Sequence, residues 1–90
     1  MLKKHNHLFI QNFAFAVLIP CFNNEEGLSI SLNSIVSEDP FAVVIVDDGS
    51  RTPLSYSNLK KNLPPAGTLF LLRNSSNAGI TESLNRGLAF

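Results

Sequence analysis

The chain has 90 residues, 44% of them hydrophobic and 16% charged, and 7 basic side chains balance 7 acidic ones for a formal net charge of +0. A chain of this length makes one small domain that buries about 60–65% of its unfolded surface. No basic patch stands out from the neutral balance, which argues against a nucleic-acid partner, and the single Cys21 excludes an internal disulfide and fits a reducing compartment.

Residues 1–12 form a polar, basic leader. His5-Asn6-His7 has no Cys, Asp or Glu nearby to complete a metal site, so the leader reads as a frayed terminus. Lys3-Lys4 before apolar residues has the outline of a signal peptide. Gln11 and Asn12 interrupt that run, and Phe13 to Ile19 leads into a turn instead of a cleavage site. No apolar stretch approaches the roughly 18 residues needed to cross a bilayer. The expectation is a soluble, cytoplasmic chain.

Ala14 to Ile19 is apolar on both faces and predicts a first strand, whose ladder Pro20 should end because proline has no N–H to donate. The turn Cys21-Phe22-Asn23-Asn24 follows, with Asn23 or Asn24 as an N-cap and Glu25-Glu26 in the first helical turn. Leu28, Leu32, Ile35 and Val36 make one apolar helix face, and Ser37 to Pro40 closes it. Ala42 to Val46 runs apolar without alternation, the pattern of an interior strand in a parallel sheet. It stops at Asp47-Asp48-Gly49-Ser50. Carboxylates at the carboxyl end of such a strand stand where open α/β sheets bind ligands, although an Asx-type turn is the plainer alternative.

Thr52 then caps a predicted helix with Pro53 at its first position and a weak stripe of Leu54, Leu59 and Leu63. Pro64-Pro65-Ala66-Gly67 stops it, Thr68 to Leu72 predicts a third strand, and Arg73 to Asn77 is a polar loop. A last helix begins near Gly79, with Ile80, Leu84 and Leu88 on one face. The order β-α-β-α-β-α, with right-handed crossovers, predicts an α/β, three-layer, Rossmann-like parallel sheet. The first turn lacks G-x-G-x-x-G, so this is not the usual dinucleotide fold.

Three loops should therefore gather along one rim. Phe22 offers an aromatic face for a base, Asp48 an acceptor for an imide N–H, and the helix start at Gly79 offers N–H groups to phosphate. Together they describe a nucleotide site. Against this, Phe22 also suits a hydrophobic staple, Asn77 a plain helix cap and Cys21 an inert turn.

Leu18-Ile19-Pro20-Cys21-Phe22-Asn23-Asn24-Glu25-Glu26 resembles the I-P-x-Y-N-E-E opening of family 2 glycosyltransferases. Val43 to Ser50 resembles their V-V-D-D-G-S segment, and Asn77 to Gly87 their N-x-G-(L/I)-x-x-(A/S)-L-N-x-G helix. The three motifs stand in the family's order over residues 14–90. The resemblance implies the amino-terminal half of a GT-A fold, a partial nucleotide-sugar-binding domain over residues 13–90. Its donor is a nucleotide-diphosphate sugar, UDP favoured, and its acceptor a hydroxyl on a glycan or lipid-linked molecule, in the cytoplasm or at the inner face of the membrane.

By position, Pro20 and Phe22 would line the base pocket, Val46 would belong to the substrate-binding set, Asp48 would accept from the base ring, and Asp47 would serve the turn. Asn24 stands where many members have Glu, with Glu25 as its substitute. Asn77 and Gly79 match the loop and helix start facing the donor, while Asn85 and Gly87 serve packing. By the same resemblance, the family's D-x-D carboxylates, which hold Mg²⁺ or Mn²⁺ against the diphosphate, and its general base would fall after residue 90. The expectation is a donor-binding fragment, inactive alone, with no catalytic or metal-ligating residue of its own and an exposed apolar edge along the first strand. The alternative is a non-catalytic nucleotide-binding module, or one that forms a homodimer through that edge. A receiver-like signalling domain is disfavoured by Pro20 and Arg73 at the positions where it needs acidic residues, and by the missing later Lys.

Overall fold

The computed structural model describes residues 13–89, and the side chains of Ile80, Leu84, Leu88 and Ala89 lie outside what it describes. The leader with His5 and His7, and the proposed stripe of Ile80, Leu84 and Leu88, therefore fall outside the described residues. The elements are β1 (Phe15–Cys21), α1 (Glu25–Asn33), β2 (Phe41–Asp47), α2 (Tyr56–Lys60), β3 (Gly67–Arg73) and α3 (Ile80–Ala89). The strands form one sheet in the order β1-β2-β3, with both pairings parallel.

Every residue of β2 is buried, which is why its sequence does not alternate. Alternate side chains of that strand serve opposite layers. Phe41, Val43 and Ile45 pack with Leu28 and Leu32 of α1 and with Leu54 and Leu59, joined at the margin by Val17, Ile19 and Leu71. On the other face, α3 lies over β1 and β2, and its Gly87 backbone rests directly against the Leu18 side chain. The result is the α/β three-layer arrangement, consistent with the amino-terminal Rossmann-like half of a GT-A fold.

β1 continues past Ile19 through Pro20 to Cys21, contrary to the expectation that Pro20 ends it. The Cys21 carbonyl accepts from the Asp48 N–H at 2.8 Å, so Cys21 faces β2 and Pro20, one residue earlier, faces away. Its missing N–H removes no bond to β2. α1 is capped by Asn24, whose Oδ1 accepts from the Gly27 N–H at 3.1 Å, and it ends at Asn33. The Ser34 hydroxyl donates to the Ser31 carbonyl at 2.6 Å and closes the last turn, so Val36 is not on the core face but 92% exposed.

α2 is shorter than the sequence predicts, and its N-cap is Ser55, not Thr52. The N–H groups of Leu54 and Ser55 donate to Asp47 Oδ2 and Glu25 Oε1, both at 3.2 Å, which holds Thr52-Pro53 in a loop. Leu54 is nevertheless buried.

Phe15, Phe41 and Gly67 share one register row at the amino end of the sheet. The two rings stack with centroids 5.1 Å apart, and a Cβ built on Gly67 would stand 2.7 Å from Phe41 Cζ. Gly67→Ala should therefore lower the unfolding free energy by about 1–3 kcal/mol, and the smaller ring-free side chain of Phe41→Leu should recover part of that loss in the double variant. Urea midpoints of the four proteins in the cycle give the comparison; strictly additive losses would contradict it.

Candidate functional site

The parallel register aligns the three strand ends, with Cys21, Asp47 and Arg73 in one row. Asp47 is 1% exposed and fully engaged. Its Oδ1 accepts from the Ser50 N–H at 3.0 Å, while Oδ2 accepts from the Leu54 N–H at 3.2 Å and pairs with Arg73 Nη1 at 2.7 Å. The second guanidinium nitrogen of Arg73 donates to the Ser50 carbonyl at 3.1 Å. Ser50 in turn accepts from the Asn23 N–H at 2.9 Å through its hydroxyl, and Asn23 Oδ1 accepts from the Arg51 N–H at 2.7 Å. The first two loops are thus tied together. Asn23 holds φ +51°, in the left-handed region that Asn tolerates better than most residues.

Asp48 points to the third loop. Its Oδ1 accepts from the Asn74 side-chain amide and the Ala78 N–H, and its Oδ2 from the Gly79 N–H, all at 2.8 Å. Asn74 also donates to the buried Ser83 hydroxyl at 3.2 Å and accepts from Arg86 at 2.6 Å, so it joins the end of β3 to α3. Gly49, at φ +74°, lets this loop come close: a Cβ there would lie 2.6 Å from the Asn77 nitrogen. Asn77 Oδ1 accepts from the Gly79 N–H at 2.9 Å, and the Gly79 carbonyl accepts the first α3 bond, from Ser83.

These contacts set the charges. Burial alone would raise the Asp47 pKa, but hydrogen bonds from the Ser50 side chain and backbone, the Leu54 N–H and Arg73 outweigh it, and the net shift is downward. The Asp48 pKa is also lowered, first by the Ala78 N–H and then by the Asn74 amide, against a smaller effect of burial. Cys21 goes the other way. Burial pushes its thiol up against a smaller lowering by a backbone hydrogen bond at Asn24, Asp47 and Glu25 add to the rise, and a protonated, buried thiol is a poor nucleophile.

Pro20, Cys21, Phe22, Asp48, Asn77 and Gly79 line one cleft of about 230 Å³. Phe22 is 46% exposed there, so its ring is open to a planar ligand. Asn24 and Glu25 line a neighbouring cleft of about 440 Å³ with Asn23, Ser50, Arg51, Thr52 and Leu54. Val46 has no accessible surface, so it supports the rim from below and does not line it.

The family model of glycosyl transferase family 2 matches residues 16–90. The chain belongs to that family. The match covers the amino-terminal part of the family's domain and places the chain in a transferase class. No curated protein matches the chain.

For a family 2 glycosyltransferase domain, the described residues do not fit a divalent cation. They contain no group of three His, Cys, Asp or Glu side chains able to hold one, and Asp47 and Asp48 spend their oxygens on protein donors. Ser50 reaches the rim with its D-D-G-S motif, but the sequence does not single out Arg73 and Asn74 as organisers of the rim. Their signal was the common strand register, which brings Arg73 beside Asp47 and Asn74 beside Asp48. No helix of the described residues is long and apolar enough to cross a membrane.

Asp47→Ala strands two backbone N–H groups and the Arg73 guanidinium, and it should lower stability by about 2–4 kcal/mol. A urea midpoint close to wild type would contradict the ion pair's role. Acid has a related effect. Both carboxylates have folded pKa values below their unfolded ones, so their stabilisation is complete above the unfolded value of about 3.9 and is lost as pH falls through the folded values. Denaturation midpoints should hold level near neutrality and decline below about pH 4, with a shallower decline in Asp48→Asn.

Proposed function

We propose that the 230 Å³ cleft holds the nucleoside of a nucleotide-diphosphate sugar, UDP favoured, for a cytoplasmic glycosyltransferase that delivers the sugar to a hydroxyl of a glycan or lipid-linked acceptor. The observation that carries this reading is the meeting of an exposed Phe22 ring, the Asp48 carboxylate and the start of α3 at Gly79 in one cleft. Pro20 and Phe22 give the base apolar contact. Gly79 and Asn77 face the donor at the start of α3, and family membership supplies the transferase chemistry.

Asn24 and Glu25 border the adjoining cleft. The described residues bind and orient; the divalent cation and the base that activates the acceptor belong to other carboxylates. Val46 acts by fixing the strand beside Pro20, its register partner.

Titration of UDP into the ¹⁵N-labelled chain should perturb the amides of Phe22, Asp48 and Gly79. Phe22→Ala should weaken that binding about tenfold, the loss expected when one base loses its stacking partner. Saturable shifts confined to other surfaces, or a Phe22→Ala variant that binds UDP as tightly as wild type, would reject this site.

A further inference from the structure

We infer that Asn23 is a positioning residue, which holds the Phe22 ring at the nucleotide cleft by tying the first turn to residues 50 and 51 and does not itself touch the nucleotide. The inference rests on the nucleotide reading of the cleft and assigns the placing of its aromatic wall to a residue outside that cleft.

A ring stacks on a base only where its own backbone stays in place, and packing does little to hold Phe22. It is 46% exposed, and among the described residues it pairs with no other ring, unlike Phe15 on Phe41 or Phe13 on Phe70. Its position therefore follows from its two neighbours in the chain. On one side, the Cys21 carbonyl accepts from the Asp48 N–H at 2.8 Å. On the other, the Asn23 N–H donates to the Ser50 hydroxyl at 2.9 Å, and Asn23 Oδ1 accepts from the Arg51 N–H at 2.7 Å. Phe22 is bracketed by these three bonds to a single turn, residues 48–51, and Asn23 makes two of them. The Ser50 hydroxyl also bonds the Asp47 carboxylate that Arg73 pairs, so the tether ends on the buried strand end.

The backbone asks for the same residue. Asn23 holds φ +51°, which strains most side chains but which Asn tolerates. This left-handed step turns the chain directly after Phe22 into Asn24, the cap of α1. Gly would accept the conformation but offers no oxygen to Arg51, and Ala would supply neither. Asn23 lines the 440 Å³ cleft and not the 230 Å³ one, so its route to a base in the smaller cleft runs through Phe22. The competing role is direct: a side-chain amide that donates to the ligand would act whether or not the Phe22 ring is present.

A cycle of UDP titrations into the ¹⁵N-labelled chain separates the two roles, using wild type, Asn23→Gly, Phe22→Ala and the double variant. Gly takes φ +51° without strain, so Asn23→Gly keeps the turn and drops only the Oδ1 bond. The expected result is UDP binding about fivefold weaker in Asn23→Gly, because the ring then spends only part of its time in place. Added to Phe22→Ala, the same change should cost nothing further, leaving the double variant about tenfold below wild type. Before any ligand is added, the backbone order parameter of Phe22 should fall in Asn23→Gly. An Asn23→Gly variant that binds UDP as tightly as wild type would overturn the inference. So would a double variant about fiftyfold weaker than wild type, the product of independent losses, because Asn23 would then act without Phe22. Either outcome, with wild-type binding intact, rejects the inference alone; a wild-type chain that binds no UDP rejects the nucleotide reading and the inference with it.

Discussion

The pairing of buried Asp47 with Arg73 is the constraint on which the rim depends. A carboxylate with 1% exposure at the end of a fully buried strand is stable only when its charge is matched and its lone pairs are filled. Arg73 reaches it because β3 runs parallel to β2 in a register that sets the two strand ends side by side. The same guanidinium holds the Ser50 carbonyl, Ser50 holds Asn23, and Asn23 holds Arg51. One ion pair therefore fixes the turn after β2, and through it the turn after β1.

The adjacent carboxylate does the corresponding work on the other side. Successive residues of an extended strand point in opposite directions, so Asp47 and Asp48 serve different loops although they are neighbours in sequence. Asp47 organises the segment leading to α2, and Asp48 organises the segment leading into α3. The doubled Asp is a two-way clamp: each residue closes one flank of the strand end, and the open cleft lies where Phe22 rises between them and the start of α3. Both acid groups are stabilised as anions, so the clamp is strongest near neutral pH.

Much of the fold was legible in the sequence. The unalternating run before Asp47, the first apolar strand and the parallel crossovers carry signals that depend on local pattern alone. Boundaries set by tertiary contacts were not. Pro20 reads as a strand end until the direction of its neighbour's carbonyl is known, and Thr52-Pro53 reads as a helix start until Asp47 and Glu25 capture the following N–H groups. Val36 continues the apolar period beyond the point where Ser34 closes the helix. In the rim, Phe22, Asp48, Asn77 and Gly79 were legible because they sit in motifs. Arg73 and Asn74 were not, because their importance comes from a register that only the assembled sheet displays. Val46 was placed at the surface of the site because the sequence does not say which way a strand's last apolar side chain turns.

The central claim is that a nucleotide base lies against Phe22 in the cleft between the β1 turn and the start of α3. Intermolecular nuclear Overhauser effects between bound UDP and the chain test it most directly. The account predicts contacts from uracil H5 and H6 to the Phe22 ring and to the protons of Pro20 and Gly79. Contacts from those protons to Arg51 and Thr52 in the neighbouring cleft, with none to Phe22, would contradict it.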